Sequence, residues 1–275
     1  MKIHGTAEGL ALSKKDFGVA SSGSVTPSVT YPDSCESDAD GTVSETTINT
    51  SDQKFGTGCL SFDGTDDYIA CNGLAVTGTC GMNDKGTISV WCNFDTLDVG
   101  GEGGGKICAF GDADGNTFIE LTFSAAGALY AQGRQSGTKQ WVCFTSNGLL
   151  TTSGWYLCTI TQDGSAPKLY VNAVEDTEFH PSYNNHSFWV GSATGLDEFR
   201  LGMQYHSGAI DGKFDGLMDD IGIYDKDIGA SLISDLYDGG TGAKVSTIST
   251  DGCVAYYNCD EFVGGDLVNN ATPTS

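Results

Sequence analysis

The chain has 275 residues and a formal net charge of −23, with 13 basic residues against 36 acidic ones. That balance, with no Lys/Arg cluster to offset it, argues against nucleic acid and anionic membrane surfaces as partners, and no apolar run reaches the length of a membrane span. A hydrophobic content of 39% with 10% aromatics excludes global disorder, and 39 glycines against 5 prolines predict many turns between short strands.

The first residues, "MKIHGTAEGLALSKKDFG", hold no apolar core of signal-peptide length. The expectation is intracellular synthesis without an ordinary secretion signal. Residues 1–30 are rich in Ser, Gly, Ala and Thr, and 31–54 are polar and turn-rich. Together 1–54 read as an extended arm that gains order by docking on a neighbouring subunit. From Gly58 the pattern changes. "CLSFDGTDDYIAC", "GTISVWCNF", "GKICAFGD", "NTFIELTFS", "GALYAQGR", "KQWVCFT", "GWYLCTITQDG", "KLYVNA", "FWVGSA", "FRLGMQ" and "GLMDDIGIYD" follow in order. These are short β-rich runs separated by Gly, Asn, Asp and Ser, the rhythm of an antiparallel sandwich or barrel. "QDGSAPKLYVN" predicts a hairpin turning near Asp163 and Gly164. One helix is expected in "KDIGASLISDLYDGG", where Ile228, Leu232, Ile233 and Leu236 recur at helical spacing and Gly239–Gly240 stop it. "GCVAYYNCDE" predicts a last strand in the tail.

The ten cysteines include no CxxC pair, which argues against zinc and redox motifs. Cys92, Cys143 and Cys158 occupy strand slots where a small apolar residue would serve, so they read as reduced packing residues. Cys253 and Cys259 are the expected exceptions, if any pair forms.

Four segments, in order, resemble a laminin-G-like domain of the concanavalin A-like lectin/glucanase superfamily: "LSFDGTDDYI" (60–69), "GTISVWCNF" (86–94), "GWYLCTITQDGSAPKLYVNA" (154–173) and "FDGLMDDIGIYDKDIGASLISDLYDGG" (214–240). The resemblance covers roughly 55–242. It implies an all-β, antiparallel jelly-roll β-sandwich with one short helix, flanked by the arm (1–54) and by a strand and tail (243–275) that complete the sandwich. It also implies that Trp91 and Trp155 are core residues. In this superfamily the Asp opening the last strand often ligates a structural Ca²⁺. The matching residue is Asp219, and calcium is the one cofactor expected. A second reading stays open there, in which Asp219 caps backbone amides. Strand alternation turns the adjacent Asp220 the other way, toward solvent.

Catalytic constellations are not evident. The Glu-x-Asp-x-x-Glu strand motif of family 16 glucanases, which this superfamily would carry for glycoside hydrolysis, is missing. "VEDTEF", with Glu175, Asp176 and Glu178, reads as a solvated strand end. The four histidines, His4, His180, His186 and His206, stand in no nucleophile motif. "GDADGN" (111–116) starts like an EF-hand loop, but Thr117 stands where its turn glycine belongs, and it reads as a hairpin turn. Trp141, Tyr130, Tyr183, Trp189 and Tyr205 could face a sugar or pack in the core, and sequence does not separate the two.

The leading expectation is therefore a non-enzymatic structural or interaction module, of the kind found on virion surfaces as a capsid decoration or fibre protein. It would sit on a virion or extracellular surface, assembled as a homo-oligomer or in a larger particle, with glycans as further partners. A calcium-dependent carbohydrate-binding adhesin is the alternative, and a glycoside hydrolase ranks last.

Overall fold

Alternating apolar residues in runs of three to ten form strands wherever both flanks are turn formers. A computed structural model describes residues 39–75, 82–98, 104–248 and 251–271, all within one unit spanning 33–275. In chain order its strands are β1 (Gly41–Ser44), β2 (Thr47–Asn49), β3 (Cys59–Asp63), β4 (Tyr68–Ala70), β5 (Gly86–Phe94), β6 (Gly105–Gly111), β7 (Phe118–Phe123), β8 (Leu129–Gln135), β9 (Thr138–Phe144) and β10 (Trp155–Gln162). Then come β11 (Pro167–Val171), β12 (Val174–Glu175), β13 (Glu178–Phe179), β14 (Glu198–Leu201), β15 (Met203–His206), β16 (Ala209–Lys213) and β17 (Asp215–Tyr224). Helices α1 (Gly229–Tyr237) and α2 (Val245–Ile248) precede β18 (Cys253–Tyr257) and β19 (Asp266–Leu267). The expected helix is α1; α2 is an added single turn.

The strands pair antiparallel into a β-sandwich. The first sheet runs β13-β9-β8-β7-β6-β14-β4-β1-β19, and the second runs β12-β11-β10-β5-β17-β3-β2 with β18 also paired to β17. β15 and β16 form a separate hairpin. Between the two sheets lies the main core, built on Phe62, Phe94, Phe110, Phe123, Trp141, Trp189, Phe199 and Phe214.

A second apolar layer covers the outer face of the second sheet. There Trp91, Leu157, Tyr170, Tyr224 and Tyr256 pack against Ile233 and Leu236 of α1 and Val245 of α2. This explains why β5 is buried on nearly every residue: one face looks into the sandwich and the other lies under the helices. Trp91 and Trp155, expected in the core, belong to this outer layer, Trp91 buried and Trp155 half-buried at its edge.

Of the expected arm, residues 1–38 lie outside the described residues. Residues 39–54 carry β1, paired with β4 and β19, and β2, paired with β3. Val43 and Ile48 supply the apolar contacts that seat them on the core. In the tail, β18 lies beside β17 in the second sheet, and β19 closes the edge of the first. The eight described cysteines are buried free thiols. Cys253 and Cys259 fall in different apolar layers, which is why they do not pair. Burial pushes the Cys59, Cys71 and Cys253 thiols up to about 12, so they stay protonated and unreactive.

The outer face of the first sheet mixes aromatic side chains such as Phe118 and Tyr130 with buried polar ones. Ile119, Leu121 and Phe123 of β7 point into the core, so Glu120 points out. It pairs with Lys106 at 2.9 Å, both side chains fully buried, and accepts a bond from Gln132 Nε2 at 2.5 Å. The β15–β16 hairpin closes over them, with Asp211 3.8 Å from the Lys106 ammonium. Glu120→Ala removes the fully buried carboxylate paired with that ammonium, and is expected to lower unfolding free energy by about 3–5 kcal/mol in denaturant titration. The double replacement K106M/E120L should recover most of the loss; a double variant as unstable as the single would mean that packing, not uncompensated charge, sets the cost.

Candidate functional site

Asp219 and Asp220 sit in the middle of β17, where the strand changes neighbour. Residues 215–218 pair with β3, and 221–224 pair with β18. Between them the register with β5 shifts, and Asp220 adopts a left-handed φ of 45°. This β-bulge breaks the alternation on which the opposite-face expectation rested. Met218, Ile221 and Ile223 all reach the main core, and both carboxylates turn to the outer side.

Asp219 is fully buried. Its Oδ2 accepts from the backbone N–H of Lys54 at 2.9 Å and of Phe55 at 2.8 Å, and its Oδ1 accepts from the N–H of Asp220 at 2.8 Å. The Lys54 ammonium lies 4.1 Å from the Trp91 ring centre and donates to the Gly240 carbonyl at 2.7 Å. Donors surround this carboxylate where a calcium site needs further oxygens. The surroundings of Asp219 therefore do not fit the expected calcium ligand and match the amide-capping reading. Asp220 is buried too, not solvent-facing as expected: it accepts from Tyr256 Oη at 2.7 Å and from the Val245 N–H at 2.9 Å.

Among the described residues, one carboxylate group could hold a metal ion: Asp63, Asp66 and Asp67 after β3, whose oxygens lie within 4.8 Å of one another. Asp67 Oδ2 already accepts from the Asp63 N–H at 2.7 Å. The 111–116 loop is a hairpin turn between β6 and β7, closed by the N–H groups of Asp114 and Gly115 donating to Asp112 Oδ1. Asp176 caps the Ser146 N–H at 3.0 Å, and Glu178 is exposed on β13. Trp141 and Trp189 are core residues whose rings stack 6.3 Å apart. Tyr130, Tyr183 and Tyr205 are half-buried.

Sequence reasoning missed an open cleft of about 870 Å³ spanning the two sheets at one end of the sandwich. Its walls are Asp84 and Lys85 before β5, Gln135 and Gln140 of β8 and β9, the Asp163–Ser165 turn, and the 185–194 segment with Asn185, Ser187, Ser192 and Thr194. The floor is the buried Phe188.

Each wall is locally anchored. Asp163 Oδ1 accepts from the N–H groups of Ser165 and Ala166, and Gly164 takes a φ of +94° that completes the turn. Buried Gln162 ties this turn to the opposite wall by donating to the His186 carbonyl at 2.9 Å. The Trp141 indole N–H donates to the Phe188 carbonyl at 2.7 Å. Gly191 lets the backbone pass Asn83, where a Cβ would lie 2.5 Å from the Asn83 Cα.

The side-chain amides are held in place by neighbouring groups. Asn185 Nδ2 donates to Gln140 Oε1 at 2.8 Å. Gln135 Nε2 donates to Thr194 Oγ1 at 2.7 Å, and Gln135 Oε1 accepts from the Thr194 N–H at 3.0 Å. An amide has four hydrogen-bonding positions, so Gln140 and Asn185 keep capacity for a ligand while their orientation is set. A further polar set under the β15–β16 hairpin leaves Gln132 Oε1, Gln204 Oε1 and Nε2, and His206 Nδ1 without partners, but these atoms are closed off from solvent.

Two substitutions separate the roles of the buried carboxylates. Asn at 219 must set an NH₂ against a backbone N–H, because both oxygens accept from the main chain; Asp219→Asn is expected to cost about 1–3 kcal/mol. Asn at 220 can accept from Val245 and donate to the Tyr256 hydroxyl, so its fold is retained. A calcium-dependent rise in Tm that Asp219→Asn abolishes would return the metal to this position. Burial raises Asp219 to about 7 and Asp220 to about 6, against an ordinary value of 3.8. A raised folded-state pKa contributes stability that is complete below the unfolded value and lost as pH rises through 6 to 7. Tm should therefore fall between pH 5 and pH 8, and the slope should be shallower in Asp220→Asn.

A family model described as concanavalin A-like lectin/glucanases superfamily, of laminin-G type, matches residues 63–234. No curated protein matches the chain. Among solved structures, the enzymatically active domain of bacteriophage CBA120 tailspike protein 2 is similar with a TM-score of 0.56 and 12% identity, over 82% of this chain and 33% of that one. The K499G mutant of NanB sialidase from Streptococcus pneumoniae gives 0.52 and 15%, over 66% and 27%. CBM40 of the Ruminococcus gnavus IT-sialidase gives 0.50 and 14%, over 74% and 99%. The chain thus spans about a third of the tailspike domain, about a quarter of NanB and nearly all of the CBM40. At these identities the likeness is one of fold, a lectin-like sandwich. With more than half of its length matched by the family model, the chain belongs to the laminin-G-like family of the concanavalin A-like lectin/glucanase superfamily.

Proposed function

We propose that the protein is a non-enzymatic carbohydrate-recognition module that binds a glycan in the cleft between the Asp163–Ser165 turn and the 185–194 segment. The observation that carries this reading is the cleft's lining: two mutually oriented side-chain amide sets, three serines and a threonine, and two carboxylates, around one buried phenylalanine. Sugars present dense hydroxyl pairs, each both donor and acceptor, and fixed amides and carboxylates are the groups that complement them. The reading is non-enzymatic because Asp163, one of the cleft's two carboxylates, is already committed to closing its own turn and to Lys168.

The finer placement is on a virion surface, where glycan binding would serve attachment. It draws support from the likeness to a phage tailspike domain. Calcium forms no part of the reading, since amide donors occupy Asp219. Co-sedimentation of the protein with assembled particles tests the virion placement.

Isothermal titration against the best ligand from a glycan array tests the binding. Gln140→Ala and Asn185→Ala are each expected to weaken it by roughly 3- to 10-fold, the range for one or two lost hydrogen bonds, with Tm little changed. A flat array, or a ligand indifferent to both substitutions, would remove the cleft from consideration.

A further inference from the structure

We infer that the cleft selects uncharged oligosaccharides and rejects those carrying a carboxylate, such as sialylated or uronic-acid glycans. The inference rests on the carbohydrate reading of the same cleft and names its ligand class. Three observations carry it.

First, the fixed charges that the described residues bring to the lining are two carboxylates, Asp84 and Asp163, against one ammonium, Lys85. Asp163 stays ionised: the Ser165 and Ala166 amides that close its turn favour its charged form, and they hold it below the ordinary carboxylate value. Lys168, 3.7 Å from its Oδ2, offsets part of this charge, whereas Asp84 forms no ion pair among the described residues. Second, recognition of a carboxylate calls for a charge-assisted, usually bidentate donor, and arginine supplies that fork best. Among the described residues no arginine lines this cleft; Lys85 is a single point charge, and its stem lies over the turn, with Cε 3.5 Å from where a Cβ on Gly164 would stand. Third, the chain as a whole carries −23, so the long-range field repels an anion before it reaches the cleft. The remaining lining groups are amides and hydroxyls, which bind neutral hydroxyls without discriminating on charge.

A charged sugar brought within several ångströms of two carboxylates loses affinity by Coulomb repulsion, and salt screens that loss. The test is a panel of neutral oligosaccharides, each paired with its acidic counterpart, for example lactose with 3′-sialyllactose. Binding is read by titration at low and high ionic strength. The expected result is that the acidic member of each pair binds about tenfold or more weakly at low salt, with a gap that narrows at high salt. The double variant D84N/D163N should narrow the gap at low salt, read as the ratio of affinities within each neutral–acidic pair. Acidic members binding as well as or better than neutral ones, with Lys85→Ala abolishing the preference, would overturn the inference while leaving the carbohydrate reading standing. No binding by any member of either class would overturn the carbohydrate reading and the inference with it.

Discussion

The bulge at Asp219–Asp220 is the constraint on which the second sheet depends. β17 is the longest strand, and it has to serve β5 along one side while handing its other side from β3 to β18. At a handover the regular ladder runs out of partners, and unpaired backbone groups in a buried strand are costly. Two consecutive carboxylates resolve this. Asp219 collects the amides of the 54–55 loop and of the bulge itself, and Asp220 collects the Val245 amide and the Tyr256 hydroxyl. Loop, helix and terminal strand are thereby joined at one point in the sheet. Both carboxylates are buried at the cost of a raised pKa, which makes this junction the place where fold stability responds to pH.

The handover also explains the two-layered burial. Once the α1–α2 segment lies over the second sheet, its outer face needs apolar residues of its own. Trp91, Leu157, Tyr170 and Tyr224 provide them. Among the described residues, no helix covers the outer face of the first sheet. That face mixes aromatic and polar side chains instead, and the β15–β16 hairpin shields the Lys106–Glu120 pair. The sandwich is thus closed on its two broad faces by different chemistry. The open cleft lies at an end, where turns from both sheets meet.

Ends of sandwiches suit recognition because loops there are free of ladder pairing yet anchored by rigid strands. Here the anchoring is explicit: Gln162 and Trp141 each donate from a strand to the 186–188 backbone, and Gly191 allows the segment to press against Asn83. The amides that face the cleft are already held, Gln140 by Asn185 and Gln135 by Thr194, so little ordering remains for a ligand to impose.

The sequence by itself determined the class of fold, the hairpin at Asp163–Gly164, the helix at 229–237 and the packing character of the cysteines, because each is written in a local pattern of alternation, turn residues or helical spacing. It placed Asp219 at a structurally special position, since a charged pair inside an apolar strand needs a reason. It did not reveal that Asp220 turns to the same side, because a bulge arises from the change of neighbouring strand and leaves no local mark. Nor did it separate Trp141 and Trp189, which are core, from the half-buried tyrosines, because an aromatic in a strand looks the same on either face. The cleft was invisible for a related reason: Asp84, Gln140 and Asn185 are ordinary polar residues, and Asp163 reads only as a turn residue, in four separate segments. Only the pairing of two sheets, and the passage of the 185–194 segment across their ends, brings them to one place.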